Sequence, residues 1–213
     1  MKIIFVRHGE SEANVAHILN DDPRRTVNLT AMGREQAKSA AESLRDIELT
    51  CAYASEFPRA RQTAEIILRN FACPLRIDAR LNERISGMDG QHVDVFNDLV
   101  RPDPLHAKPE RGESFVEQMQ RLRSFMDEVA LTCPDGVVLA VSHENPILAA
   151  RALMNGNPEQ TVLAKLKNCE LVEVQWPIVD SPLTLEQRLA EYDPVRHGGE
   201  QMTVTEALGA ERW

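Results

Sequence analysis

The chain has 213 residues, room for one sizeable α/β domain and short of what two ordinary domains need. Apolar residues make up 43% and charged residues 27%, a globular balance that excludes a disordered chain. Lys and Arg total 24 against 33 Asp and Glu, and this net charge of −9 argues against a broad nucleic-acid or anionic-membrane surface. Any anion must therefore be held by a local cluster of cations working against the global field.

Residues 3–6 form a short apolar run of β-formers and predict a strand buried on both faces. Between 30 and 47, Met32, Ala37, Ala40, Ala41, Leu44 and Ile47 follow a helical period. Residues 51–54 are a second strand. Pro58 then suits a first helical turn, with Ala60, Ala64, Ile67 and Phe71 as the buried stripe. Residues 75–77 are a short third strand, and 87–112 an irregular stretch holding one short helix. Ser114 with Glu117 makes a capping box ahead of the stripe Phe115, Met119, Leu122, Met126 and Val129. Residues 137–141 are the clearest buried strand. Asn145 and Pro146 read as a cap and first turn of a helix running to about residue 154, and 171–176 as a last strand. Beyond Pro177 the composition turns polar, so 1–176 is read as the domain and 177–213 as a C-terminal extension with a little helix at 185–191.

No run of 18 apolar residues is present, and residues 1–6 are too short a run for a secretory signal. Cys51, Cys73, Cys133 and Cys169 show no C-x-x-C spacing and read as reduced, buried thiols of a cytoplasmic protein. The six histidines show no ligand pairing, so no metal is expected.

Strands alternating with helices imply a three-layer α/β/α sandwich around a mostly parallel sheet, with ligands outside the carboxyl ends of the strands. Three strand–helix junctions carry the polar residues: Arg7-His8-Gly9-Glu10, Ser55 to Arg59, and Ser142-His143-Glu144. The sheet rule places all three along one edge. Two arginines, two histidines and the helix N-termini beside them make an oxyanion trap that matches phosphate. A neutral imidazole is a good nucleophile, provided its other nitrogen donates to an acceptor such as a backbone carbonyl. Gly9 would let the chain fold back tightly enough to offer one. Glu83 and Glu144 are the candidate proton donors. Taken singly, each residue has an ordinary structural reading; the set, placed together by the topology, does not.

Arg7-His8-Gly9-Glu10-Ser11-Glu12-Ala13-Asn14 resembles the signature of the histidine phosphatase superfamily, the phosphoglycerate-mutase-like group. Leu29 to Ala37, Ser55 to Ala64, Leu81-Asn82-Glu83 with Gly87 and Gly90, Gly112 to Phe115, and Val141-Ser142-His143 extend the resemblance in matching order from about residue 2 to 176. The resemblance implies a phosphoglycerate-mutase-like fold and a phosphohistidine mechanism without cofactor. His8 would attack phosphorus while Arg7, Arg59 and His143 hold the phosphoryl oxygens. Glu83 would protonate the leaving alcohol, and Asn14 would contact the phosphate. Ser11 would touch it too or simply hold the loop.

Two departures from the pattern bear on function. Glu144 stands where the family usually has glycine. It either faces outward or caps the following helix, or is neutralised by a cation such as Arg84, or shares the proton-donor role as in the acid phosphatase branch. The acid/base segment also lacks the tyrosine of cofactor-dependent mutases, and 90–112 is short for an enclosed mutase site. Hydrolysis is therefore expected over phosphoglycerate mutation, with a non-catalytic phosphate-binding module as the remaining alternative. The substrate is read as a small phosphorylated metabolite or a phosphoprotein. Arg24 and Arg25 could reach a second anionic group, though a solvated turn neutralised by Asp21 and Asp22 is the better reading. Oligomeric state stays open.

Overall fold

The computed structural model describes residues 1–176; the extension at 177–213, its short helix and His197 lie outside the described residues. Five strands, β1 (Lys2–Arg7), β2 (Cys51–Ala54), β3 (Leu75–Ile77), β4 (Val137–Ser142) and β5 (Leu171–Gln175), form one sheet in the order β3-β2-β4-β1-β5. The first four are mutually parallel and β5 runs antiparallel along β1. Alternation within each strand splits the core into two. Ile3, Phe5, Val138 and Ala140 face α5 (Phe115–Thr132) and α6 (Glu144–Asn155). Ile4, Val6, Leu139 and Val141 face α2 (Ala31–Leu44) and α3 (Pro58–Ile67). The fold is thus the expected α/β/α sandwich.

Local chemistry explains most boundaries. Thr30 caps α2 by accepting from the Gly33 amide, Pro58 opens α3, and Ser114 and Glu117 form a reciprocal capping box at α5. Met32, one of the apolar positions read at helical period, is 59% exposed; the face turned inward is Gly33, Ala37, Ala40 and Leu44. Phe71 lies beyond the end of α3, after a short 3-10 turn at Leu68–Asn70. The irregular stretch holds α4 (Val93–Val100). Two further short helices, α1 (Glu12–Ala16) and α7 (Pro158–Thr161), fall where the sequence reading had none. At α1 Ser11 and Asn14 cap one another reciprocally, so Ser11 does hold this loop.

Two further expectations are corrected here. The α6 helix starts at Glu144 with His143 as N-cap, two residues before Pro146. Pro146 is tolerated there because the third helical N–H has no intrahelical partner to lose. Cys51 and Cys133 are not free thiols: they are joined as a disulfide between the start of β2 and the C-cap of α5, 82 residues apart in sequence. Cys73 and Cys169 are free. Sequence spacing carried no information about which element ends meet, and the reducing-compartment argument loses two of its four residues. No helix among the described residues is long and apolar enough to cross a membrane.

Candidate active site

Because β1, β2 and β4 are adjacent and parallel, their three polar junctions emerge together at one sheet edge. Arg7, His8, Asn14, Arg59, Glu83 and Glu144 all line a single cavity there of about 560 Å³. His143 is fully buried behind Arg59 rather than on the cavity wall.

His8 follows β1 directly. Its Nδ1 donates to the Gly9 carbonyl at 2.7 Å, and its Nε2 accepts from Arg59 Nε at 3.2 Å. These two bonds fix the tautomer, leaving the lone pair on Nε2. Burial, then the charges of Arg59 and Arg7, hold the imidazole well below its ordinary pKa, so the ring is neutral. The carbonyl it needs is that of Gly9, as expected, but glycine is required there for another reason. A Cβ at Gly9 would sit 2.4 Å from the Gly33 carbonyl, so the loop packs backbone-to-backbone on α2. Thr63 Oγ1 accepts from the Gly9 amide at 3.1 Å, and Asn168 Nδ2 donates to the His8 carbonyl at 2.9 Å.

Arg59, on the first turn of α3, is the hub. Beyond His8 it donates from Nη2 to His143 Nδ1 at 3.2 Å and to the Asn20 carbonyl at 3.3 Å, and from Nη1 to Asn20 Oδ1. Its guanidinium also stacks 4.4 Å from the Phe57 ring centre. Burial lowers its pKa to about 10, which leaves it charged at neutral pH. Since His143 Nδ1 accepts, its Nε2 donates, and the partner is Ser55 Oγ at 2.7 Å. Burial, followed by Arg59, lowers the His143 pKa well below the ordinary value.

Glu83 follows β3 through a short 3-10 turn at Ala79–Leu81. Its Oε1 accepts from the Arg84 amide at 2.8 Å and from Asn145 Nδ2 at 3.2 Å. Burial dominates these bonds and raises its pKa, favouring the protonated acid. Glu144 is neither turned outward nor paired with Arg84. Register sets Ser142 beside Arg7, so the next turn delivers Glu144 to Arg7 Nη1 at 2.8 Å, with Lys165 Nζ at 3.3 Å. Arg84 is instead spent on the Glu113 and Ala107 carbonyls. Arg7 also donates to the Leu166 carbonyl and keeps a buried Nε without a partner. Asn14 Oδ1 is occupied by the Ser11 amide at 3.0 Å. Arg24 and Arg25 are held by Asp22 and Asp89, away from the wall.

Sequence reasoning missed Asn20, Thr63, Lys165 and Asn168, and misread Asn145 as a cap. Thr63 lies inside a recognised segment, and Asn145 stood in a flagged junction. Asn20, Lys165 and Asn168 carry no local signal; only loop placement brings them in. Among the described residues no three His, Cys, Asp or Glu side chains are arranged to hold a metal ion.

The chain is 31% identical over 181 residues to a 2,3-bisphosphoglycerate-dependent phosphoglycerate mutase of Thermoplasma acidophilum, covering 84% of this chain and 89% of that one. It is 28% identical over 173 residues to the adenosylcobalamin/alpha-ribazole phosphatase of Escherichia coli, covering 76% and 83%. A solved structure of a putative alpha-ribazole-5'-P phosphatase from Escherichia coli superposes with a TM-score of 0.70 at 26% identity, covering 81% of this chain and 89% of that one. The family model described as histidine phosphatase superfamily (branch 1) matches residues 3–178. With that match spanning nearly the whole described chain, the protein belongs to the histidine phosphatase superfamily and is an enzyme of that family.

Proposed function

We propose that the protein hydrolyses phosphomonoesters through a phosphohistidine, with residues 1–176 as the catalytic domain. The observation that carries this reading is the state of His8: a neutral ring, its proton fixed on Nδ1 and its lone pair on Nε2 directed at a buried guanidinium. When a phosphoryl group enters, its oxygens take over the Arg59 donors, and Nε2 is released to attack phosphorus. The N–P bond forms as the ester P–O bond breaks, and Glu83 gives its proton to the departing alkoxide. In the second half the Glu83 carboxylate takes a proton from water, the new P–O bond forms and the N–P bond breaks. Arg7 and Arg59 neutralise the phosphoryl oxygens, with the free amide of Asn14 beside them. His143 joins them by trading its bond from Arg59 for one to an oxygen, with a proton taken from solvent at Nδ1 as the dianion reverses the local field.

Hydrolysis is favoured over mutation because a mutase must retain a bisphosphate while it reorients. Outside Arg7 and Arg59, each cation lining the described cavity already has an acidic or carbonyl partner. Rapid-quench labelling with a phosphorus-32 aryl ester tests the chemistry. An acid-labile, base-stable phosphoenzyme should accumulate and be absent in His8→Ala. A labelled His8→Ala enzyme, or 3-phosphoglycerate isomerised faster than any ester is hydrolysed, would overturn the reading.

A further inference from the structure

Away from the phosphoryl end, apolar side chains form two patches of the cavity wall, between Asn97, Arg101 and Lys165. On α4, Val93, Phe96 and Val100 recur at helical spacing and line one side; Leu148 of α6 with Val162 and Leu163 line another. These residues come from three separate segments. The volume of about 560 Å³ lies among pockets that enclose drug-sized ligands, roughly 300–1,000 Å³, and far exceeds what a three-carbon acid fills.

The charges on the wall point the same way. Arg84 is buried, donates to the Glu113 carbonyl at 3.0 Å and the Ala107 carbonyl at 2.9 Å, and stacks 5.0 Å from the Phe96 ring centre. It presents a covered, committed guanidinium. Arg101 is held by Asp98 at 2.7 Å and Lys165 by Glu144 at 3.3 Å. A second anionic group on the substrate would have to break one of these pairs, and would share the cavity with Glu83 and Glu144.

Resting on the phosphatase reading, we infer that this region is a binding site for the alcohol part of the substrate, and that its ligand class is the phosphomonoester of a bulky, largely apolar alcohol. Small anionic metabolites are disfavoured.

A chain-length series isolates this site, since ethyl, butyl and hexyl phosphate share nearly the same leaving-group chemistry. Each added methylene should raise kcat/KM about two- to fourfold while the wall is being covered. Hexyl phosphate should exceed ethyl phosphate by at least about tenfold on that scale and exceed 3-phosphoglycerate by more. Val100→Asn and Leu163→Asn should each flatten the slope, the second at a position 68% exposed and therefore safe for folding. A flat or falling series, or preference for 3-phosphoglycerate, overturns the inference. Calorimetric binding of ethyl- and hexylphosphonate to the full chain reads the same site without turnover. A phosphonate slope without hydrolysis sinks the phosphatase reading and keeps the apolar site; hydrolysis without a phosphonate slope does the reverse.

Discussion

Burial acts on His8 and Glu83 in opposite directions, because it disfavours whichever form is charged: the imidazole loses its proton and the carboxyl keeps it. Both shifts move the pair toward working protonation states at one pH, His8 neutral and Glu83 protonated. The kcat/KM profile should rise with pH through the depressed His8 pKa, below 6.5, and fall through the raised Glu83 pKa, above 4.5. The falling limb should fade for aryl esters, whose leaving group needs no acid. Glu83→Gln should cost alkyl esters roughly 10²–10⁴ in kcat and aryl esters far less. The same variant should be more stable at pH 7. A raised folded pKa means the native state holds the proton more tightly than the unfolded chain, so ionising Glu83 above 4.5 weakens the fold. Removing that cost should lift Tm, by about 2–4 °C per kcal/mol recovered in a domain of this size. For His8 and His143 the sign is reversed: their contribution is complete above 6.5 and is lost as pH falls below it, visible as a lower Tm in acid. Glu144 neutralises Arg7. Glu144→Gln should thus tighten orthophosphate inhibition on the order of tenfold, with turnover of alkyl esters retained. Loss of that turnover, matching Glu83→Gln, would move the proton-donor role to Glu144.

Among the elements, those with self-contained signals were legible. The strands at 51–54 and 75–77 and the Pro58 start agree with the structure, as does the Ser114 capping box, where side chain and backbone satisfy one another within four residues. What the sequence hid depends on a neighbour. Met32 faces outward because Gly33 takes the inner face, and Gly33 does so because the Glu10 backbone lies where its Cβ would be, the carbonyl at 2.1 Å. The α6 start shifted because β4 hands the chain over in extended form through His143. At the site, Arg7 ends β1, His8, Arg59, Glu83 and Glu144 lie on the segments that follow strands, and all could be named from topology. Asn20, Lys165 and Asn168 sit on loops whose path only tertiary packing sets. The contact between Gly9 and Gly33 makes its own prediction. Gly9→Ala or Gly33→Ala must separate α2 from the His8 loop, costing roughly 1–3 kcal/mol or more by denaturant unfolding. At a concentration of denaturant that leaves the variant folded, kcat should still fall, because the Gly9 carbonyl that orients His8 moves with the loop.

The whole chain has a formal net charge of −9, while the proposed hydrolysis brings a dianion to its cavity. At low ionic strength a substrate feels the global field over a screening length of about 30 Å, shrinking to about 8 Å at physiological salt. The kcat/KM of a dianionic ester should therefore rise between 10 mM and 150 mM potassium chloride, by about two- to threefold on a field of this kind; a steady fall would show that the cations at the mouth dominate capture. The topology has one more effect. The β5 strand closes the sheet against β1, and the turn leading into it carries Asn168 to the His8 carbonyl while the Cys169 amide bonds the Arg7 carbonyl at 2.9 Å. The last-made stretch of this domain thus braces the first-made one. A chain made only as far as residue 167 would hold His8, Arg59 and Glu83 but lack this brace on the His8 loop.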